Sequence, residues 1–267
     1  SRYTVAFVVS LASFMLLRIA DEFKDAEEDA RYRPYRPVPR GLVTLRELKR
    51  IGIALAVLQA ASALALSAIA PAATGFDLRL LGLLVLAWVY FALMSHEFFA
   101  REWLKARPVV YLFSHMGIMP LVDWFATGCD WVPAGVAMPR GLFWFLAASF
   151  CNGLVIELGR KIRTPAQEEP GVDTYTRLWG QPIAVGAWLT ALAATFACAW
   201  VAGQRIGFAP MIGSILGLLF AGALLLAIAF LRSPHQGKLA KSFEAAAALW
   251  TLALYVSLGV IPLLVRP

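Results

Sequence analysis

Tyr3–Leu17, YTVAFVVSLASFMLL, runs almost directly into Asp21–Gly41, DEFKDAEEDARYRPYRPVPRG, and reading these two stretches together decides the fold. The first is long and apolar enough to lie in a bilayer. In the second, Asp21, Asp25 and Asp29 follow one another at i, i+4 and i+8. If the helix continues through them, the three carboxylates share one face, each about 6 Å further along the axis. Carboxylates stacked that closely repel one another, which raises their pKa values and weakens the helix. A divalent cation removes that penalty, and hard oxygen ligands suit Mg²⁺. The same spacing also describes a solvated acidic helix end answered by the arginines that follow it.

Composition supports the membrane reading. Hydrophobic residues make up 60% of the chain and charged residues only 15%, with a mean hydropathy of +0.69. A soluble globule of this size is not so apolar. Eight apolar stretches are expected to span: 3–20, 47–70, 77–97, 108–127, 140–158, 181–203, 207–231 and 243–264. Their length and lack of alternation predict helices, not barrel strands. The fold class is therefore an all-α polytopic membrane protein. It is expected to form one domain over 1–267, with polar loops at 21–46 and 159–179. The chain opens inside an apolar segment, so a further helix upstream of residue 1 is expected.

The net charge of +7 reads as topology and not as a nucleic-acid footprint, because the basic residues fall in alternate loops. Of the 24 Lys and Arg, only Arg2, Arg79, Arg140, Arg205 and Arg266 lie on the side opposite Asp21–Gly41. The positive-inside rule then puts the aspartate stretch in the cytoplasm, and a bacterial inner membrane is the expected location. Cys129, Cys151 and Cys198 have no metal-type spacing and read as packing residues.

Two dense charged clusters share the cytoplasmic side. In the first, Asp21, Glu22, Asp25 and Asp29 precede Arg31, Arg33, Arg36 and Arg40. Carboxylates to hold a metal beside guanidiniums to hold phosphate oxygens is a layout suited to a diphosphate. The second is Asn152–Gly180, NGLVIELGRKIRTPAQEEPGVDTYTRLWG, with Glu157, Arg160 and Lys161 near a membrane edge. Glu157 and Lys161 are also an i, i+4 pair in the favourable order, so an intrahelical ion pair describes them equally well. His96-Glu97 reads as an interfacial pair, while His115 and Asp123 lie within the fourth span. Ionisable residues at that depth face a bundle interior or a cavity, although Asp123, beside Trp124 and close to Cys129-Asp130-Trp131, also fits a place at the outer interface.

Asp21–Asp29 (DEFKDAEED), then Arg33 and Arg36-Pro37-Val38-Pro39-Arg40-Gly41, resembles the first signature of the UbiA superfamily of intramembrane prenyltransferases. That signature is written NDxxDxxxD, followed by a basic residue and RPxxxG. Asp21 and Glu22 stand where the family has Asn and Asp, and Asp25 and Asp29 match outright. The layout is similar along the whole chain: the eight spans correspond to family helices two to nine, and Lys105 falls where the family often has a basic residue. The second motif departs, with Glu157 in place of the first acid and Arg160 and Lys161 where another carboxylate is usual. Glu168 or Glu169 is a candidate for the displaced acid.

The resemblance implies a Mg²⁺-dependent transfer of a prenyl group from a polyprenyl diphosphate to a lipophilic acceptor, in contact with membrane lipids. It implies Asp21, Glu22, Asp25, Asp29 and Glu157 as metal residues. Arg33, Arg36, Lys105, Arg160 and Lys161 would bind the diphosphate, and Asp21, Asp25, Asp29 and Lys161 would be the catalytic set. Other reactions of the superfamily, phosphoribosyl transfer to a polyprenyl phosphate and terpene cyclisation, stay open. A divalent-cation transporter or a lipid-binding membrane protein would use the same acids without chemistry, although carrier sites usually lie near the midplane between discontinuous helices.

Overall fold

Long apolar runs punctuated by Gly and Pro become helices here because no other structure lets a lipid-facing backbone satisfy its own polar groups within one segment. The computed structural model describes residues 2–68, 77–169, 172–233 and 235–265, and these contain helices and no strand. The chain divides into two compact units, Ser1–Pro139 and Arg140–Pro267.

The first unit contains α1 (Arg2–Lys24), α2 (Ala26–Tyr32), α3 (Leu45–Ala68), α4 (Arg79–Ser95), α5 (Arg101–Lys105), α6 (Pro108–Met116) and α7 (Ile118–Trp131). Helix α1 packs against α3, α7 and α4, and α4 packs on α7. Arg2 donates to the carbonyl of Asp130 at 3.0 Å at one end of this unit, whereas Lys24 reaches the α6 side chain Tyr111 at the other. Helix α3 begins at a capping box. The Thr44 backbone N–H donates to Glu47 Oε2 at 2.8 Å, and the Glu47 N–H donates to Thr44 Oγ1 at 3.2 Å. In the core of the unit, Gln59 donates to the Val9 carbonyl and to Ser13 Oγ, and accepts from Trp88 Nε1. Such bonds hold helices together where apolar burial supplies no preference over lipid.

The second unit contains α8 (Leu142–Arg160), α9 (Tyr175–Trp179), α10 (Gln181–Ile206), α11 (Ala209–Arg232), α12 (Gly237–Tyr255) and α13 (Ile261–Val265). Helix α10 packs on α8 and α11, and α12 packs on the same two. Close approach depends on Gly159, where a Cβ would lie 2.9 Å from Ala247 Cβ and 3.2 Å from the Phe243 carbonyl. Gly159→Val is therefore expected to cost about 1–3 kcal/mol by forcing α8 from α12, measurable as a lower unfolding midpoint in detergent. A midpoint equal to wild type would show that the two helices separate freely.

Among the described residues, seven helical segments are long and apolar enough to cross a membrane: Arg2–Lys24, Leu45–Ala68, Pro108–Trp131, Leu142–Arg160, Gln181–Ile206, Ala209–Arg232 and Gly237–Val265. The expected span over 77–97 corresponds to α4, an apolar helix of 17 residues. At about 1.5 Å per residue it is a few ångströms short of a typical hydrocarbon core. The end of the expected 47–70 span lies outside the described residues. The expected span over 108–127 falls within Pro108–Trp131, in which a break in the hydrogen-bond pattern at Gly117 separates α6 from α7 while the backbone keeps right-handed helical angles (φ −60°, ψ −19°). At that break Tyr90 Oη donates to the Ser114 carbonyl at 2.5 Å, and a Cβ on residue 117 would collide with the Tyr90 hydroxyl.

Candidate functional site

The acidic stretch keeps its helical spacing in the folded chain. The backbone N–H of Asp25 donates to the Asp21 carbonyl at 2.9 Å, that of Asp29 to Asp25 at 2.8 Å, and that of Arg33 to Asp29 at 2.8 Å. A bend at Asp25 (φ −93°, ψ 1°) separates α1 from α2 without breaking this ladder. After it, RPVPRG folds into tight turns: Arg40 N–H donates to the Arg36 carbonyl and Leu42 N–H to that of Pro37. Gly41 closes them at φ +73°, a left-handed conformation that side-chain-bearing residues disfavour. The glycine of the RPxPxG pattern thus has a backbone reason.

Along this ladder the acids meet different fates. Asp29 is 2% exposed, and its two oxygens are held by Arg33 at 3.2 Å and by a short contact from Arg36. Glu22 takes Arg18 at 2.5 Å and has Arg36 at 4.0 Å. Burial by itself would lower the Arg36 pKa, but the bond to Asp29 and the charges of Asp29, Glu22 and Asp25 keep it raised. Among the described residues, no hydrogen bond or ion pair engages the side chains of Asp21 and Asp25. Burial raises the Asp25 pKa first; Lys24 opposes the rise, and Asp21, Asp29 and Glu28 add to it. Lys105 and Arg101, at the ends of α5, reach Glu28 Oε1 at 3.5 and 3.4 Å and tie α5 to α2.

Among the described residues, no three of His, Cys, Asp and Glu converge in the manner of an all-protein metal site. That does not exclude Mg²⁺, which is commonly held by one or two carboxylates while water and substrate phosphate oxygens complete the octahedron. Asp21 and Asp25 fit this mode: they are one helical turn apart, no cation among the described residues is in ion-pair contact with them, and the charges of Asp21, Asp29 and Glu28 act on Asp25 as repulsion that a metal ion would relieve.

In the second unit Glu157 is 7% exposed and lies 2.6 Å from Arg160 Nη2 and 2.9 Å from Lys161 Nζ. Lys161 Nζ also sits over the Tyr175 ring, 5.5 Å from its centroid. The i, i+4 ion pair legible at Glu157–Lys161 is therefore present, and Glu157 anchors the basic pair. Glu168 accepts from Thr174 Oγ1 at 2.6 Å and from Thr176 Oγ1 at 3.1 Å. Beside it, Gln167 donates to the Gly237 carbonyl at 3.2 Å, fastening the loop to α12.

Sequence reasoning missed one group of residues in the first unit. Glu97 is buried, 6% exposed, whereas its neighbour His96 is exposed. Its Oε1 lies 3.2 Å from Lys24 Nζ and accepts from Tyr111 Oη at 3.4 Å. Its Oε2 lies 3.2 Å from Nε2 of the buried His115, although their angle is not that of a hydrogen bond. Burial pushes the Glu97 pKa up, but His115 and Lys24 outweigh it and hold the carboxyl at about 2. Glu97, Phe98 and Phe99 all have positive φ, at 51°, 50° and 57°. Each costs about 1–2 kcal/mol for a residue with a Cβ, so surrounding contacts must hold the turn. Phe98 supplies some of them, packing edge-on against Tyr90 and His115. The signal available in sequence was His115, an ionisable residue inside the apolar 108–127 stretch that needs a polar partner. Asp123, for which the sequence leaves both an interior and an outer-interface place open, is buried on α7.

Comparison with curated proteins and with solved structures finds no match. The sequence profile of the UbiA prenyltransferase family, in contrast, matches residues 2–258, a range that includes both charged clusters and all the long apolar helices but the last few residues of the final one. The chain is thus an all-helical integral membrane protein that belongs to the UbiA prenyltransferase family.

Proposed function

We propose that this protein transfers a prenyl group from a polyprenyl diphosphate to a lipophilic acceptor, with Mg²⁺, at the cytoplasmic face of a bacterial inner membrane. The observation that carries this reading is the pairing, within one stretch, of two unpartnered carboxylates with an arginine-loaded third. Asp21 and Asp25 hold the cation, with Glu22 and Asp29 beside them in pairs with Arg18, Arg33 and Arg36. A Mg²⁺ ion held there would supply positive charge to offset that of the diphosphate.

The chain's own residues do the rest. Arg33 and Arg36, held by Asp29, present fixed guanidinium forks to phosphate oxygens. Lys105, on α5 beside α2, adds a mobile ammonium. Arg160 and Lys161 occupy the place of a second acidic motif, where cations oppose the leaving oxygens as a second metal otherwise does. That residues of both units act on one diphosphate, and that 1–267 works as one domain, rests on family membership. As the C–O bond breaks, its electron pair leaves with diphosphate; the acceptor attacks the allylic cation, and the proton displaced from the acceptor passes to the departing diphosphate. Water must be kept out, or the cation is quenched to an alcohol. Glu157, clasped by Arg160 and Lys161, orients that pair instead of binding metal directly.

The test is product analysis. Purified protein in liposomes, given a prenyl diphosphate, Mg²⁺ and candidate acceptors, is expected to release diphosphate together with a prenylated product detectable by mass spectrometry. A phosphoribosylated polyprenyl phosphate or a cyclised hydrocarbon would redirect the chemistry within the family. Divalent-cation flux across the same liposomes with no prenyl substrate consumed would replace the transferase reading.

A further inference from the structure

We propose that Glu97 is a positioning residue that draws Lys24 away from the first-motif acids and so keeps Asp21 and Asp25 available to a divalent cation. The inference rests on the reading of those acids as the cation site. Lys24 stands inside the motif, three residues after Asp21, directly before Asp25 and four residues before Glu28. Side chains three and four residues apart on a helix are neighbours, so a free lysine there would pair with Asp21 or Glu28 and bring its charge closer to Asp25. The structure directs it elsewhere. Its ammonium lies 3.2 Å from Glu97 Oε1, donates to Tyr111 Oη at 3.0 Å, and sits 5.7 Å from the Tyr111 ring centroid.

The arrangement that holds the lysine there is costly to build. Three consecutive side-chain-bearing residues in the left-handed region carry the Glu97 carboxylate inward. His115, on α6, faces the other carboxylate oxygen at 3.2 Å and stacks on Tyr111 with centroids 3.8 Å apart. His115 Nδ1 is 2.9 Å from the Tyr111 carbonyl, which sets the ring's orientation. Glu97 is thus held from two sides, by His115 at one oxygen and by Lys24 at the other. A strained turn retained in order to bury one acid is explained if that acid removes a competing charge from the site next to it.

The experiment is a double-mutant cycle on cation affinity, with full-length protein in detergent and Mn²⁺ as the probe, read by loss of the free Mn²⁺ electron paramagnetic resonance signal. Glu97→Gln frees Lys24 to turn toward Asp21 and Asp25 and is expected to weaken Mn²⁺ binding about tenfold, the scale of one added charge near the site. Lys24→Met in wild-type background should change affinity by no more than about threefold. In the Glu97→Gln background it should restore binding to near wild type, a coupling that general loss of packing does not produce. Should Glu97→Gln not fold, Tyr111→Phe removes the lysine's other partner and is expected to weaken binding about threefold, again reversed by Lys24→Met. Wild-type affinity in Glu97→Gln, or no rescue by Lys24→Met, would overturn the proposal and leave the cation site standing. If wild-type protein binds no Mn²⁺, or Asp25→Asn binds it as tightly, the cation site itself fails and this inference goes with it.

Discussion

Asp25→Asn is expected to lower Mg²⁺-dependent prenyl transfer by about 10²-fold or more while raising the stability of the metal-free protein. The loss follows because leaving-group charge must be met by preorganised opposite charge, and removing one contributor to such a site costs on the order of 10²–10³ in rate. The gain follows from the surroundings of Asp25. Burial, and then the carboxylates of Asp21, Asp29 and Glu28, raise its pKa above 3.8 despite the pull of Lys24. A carboxyl whose folded pKa lies above its unfolded value binds its proton more tightly in the folded state. Stability is then lost as pH rises from about 3.8 through the folded value, so ionised Asp25 is a liability at neutral pH. The uncharged amide relieves it. Melting curves in detergent with a chelator should show Asp25→Asn above wild type at neutral pH, with the difference closing at acid pH. Mg²⁺ should stabilise wild type and not the variant. Undiminished transfer together with a lowered melting temperature would remove Asp25 from the site.

Asp29→Asn should behave differently, although the two residues are one helical turn apart in the same motif. Asp29 is buried and both its oxygens are occupied by Arg33 and Arg36. Taking away one partner of a buried pair costs about 3–5 kcal/mol. Here the arginine side chains are 25% and 21% exposed and regain some hydration, so about 2–4 kcal/mol is expected. Denaturant unfolding in mixed micelles measures it. The released guanidiniums lose their fixed aim, which should raise KM for the prenyl diphosphate about tenfold or more with little change in the Mg²⁺ concentration needed for half-maximal rate. If that Mg²⁺ requirement rises as it does for Asp25→Asn, Asp29 is a metal ligand and not the anchor of the arginine pair.

The contrast between these neighbours marks the limit of reading a spacing. Asp21, Asp25 and Asp29 are equivalent as i, i+4, i+8 positions, and the ladder of backbone bonds through them is the one that spacing predicts. Which carboxylate stays without a partner depends on where the chain returns. Tight turns at Arg33–Leu42 bring Arg36 back onto Asp29 and within 4.0 Å of Glu22. Glu157 was more legible, because both its partners lie within four residues of it on one helix end. Glu97 was least legible. Its partners Lys24 and His115 are distant in sequence, and nothing local announces that residues 97–99 take left-handed conformations without a glycine.

By itself the sequence determined an all-helical membrane protein, the approximate bounds of its spans and its family, because hydrocarbon thickness and backbone satisfaction act on contiguous residues and leave a contiguous record. It also determined the course of the acidic ladder, since hydrogen bonds from residue to residue four apart are local. Only tertiary structure decided which acids are neutralised, that the hydrogen-bond pattern of the fourth span breaks at Gly117, and that Lys24 turns toward Glu97 and Tyr111. Those outcomes depend on charges meeting across helices. Coulomb attraction in a partly buried setting reaches only a few ångströms with useful strength, so distance in space, which sequence does not record, selects the partner.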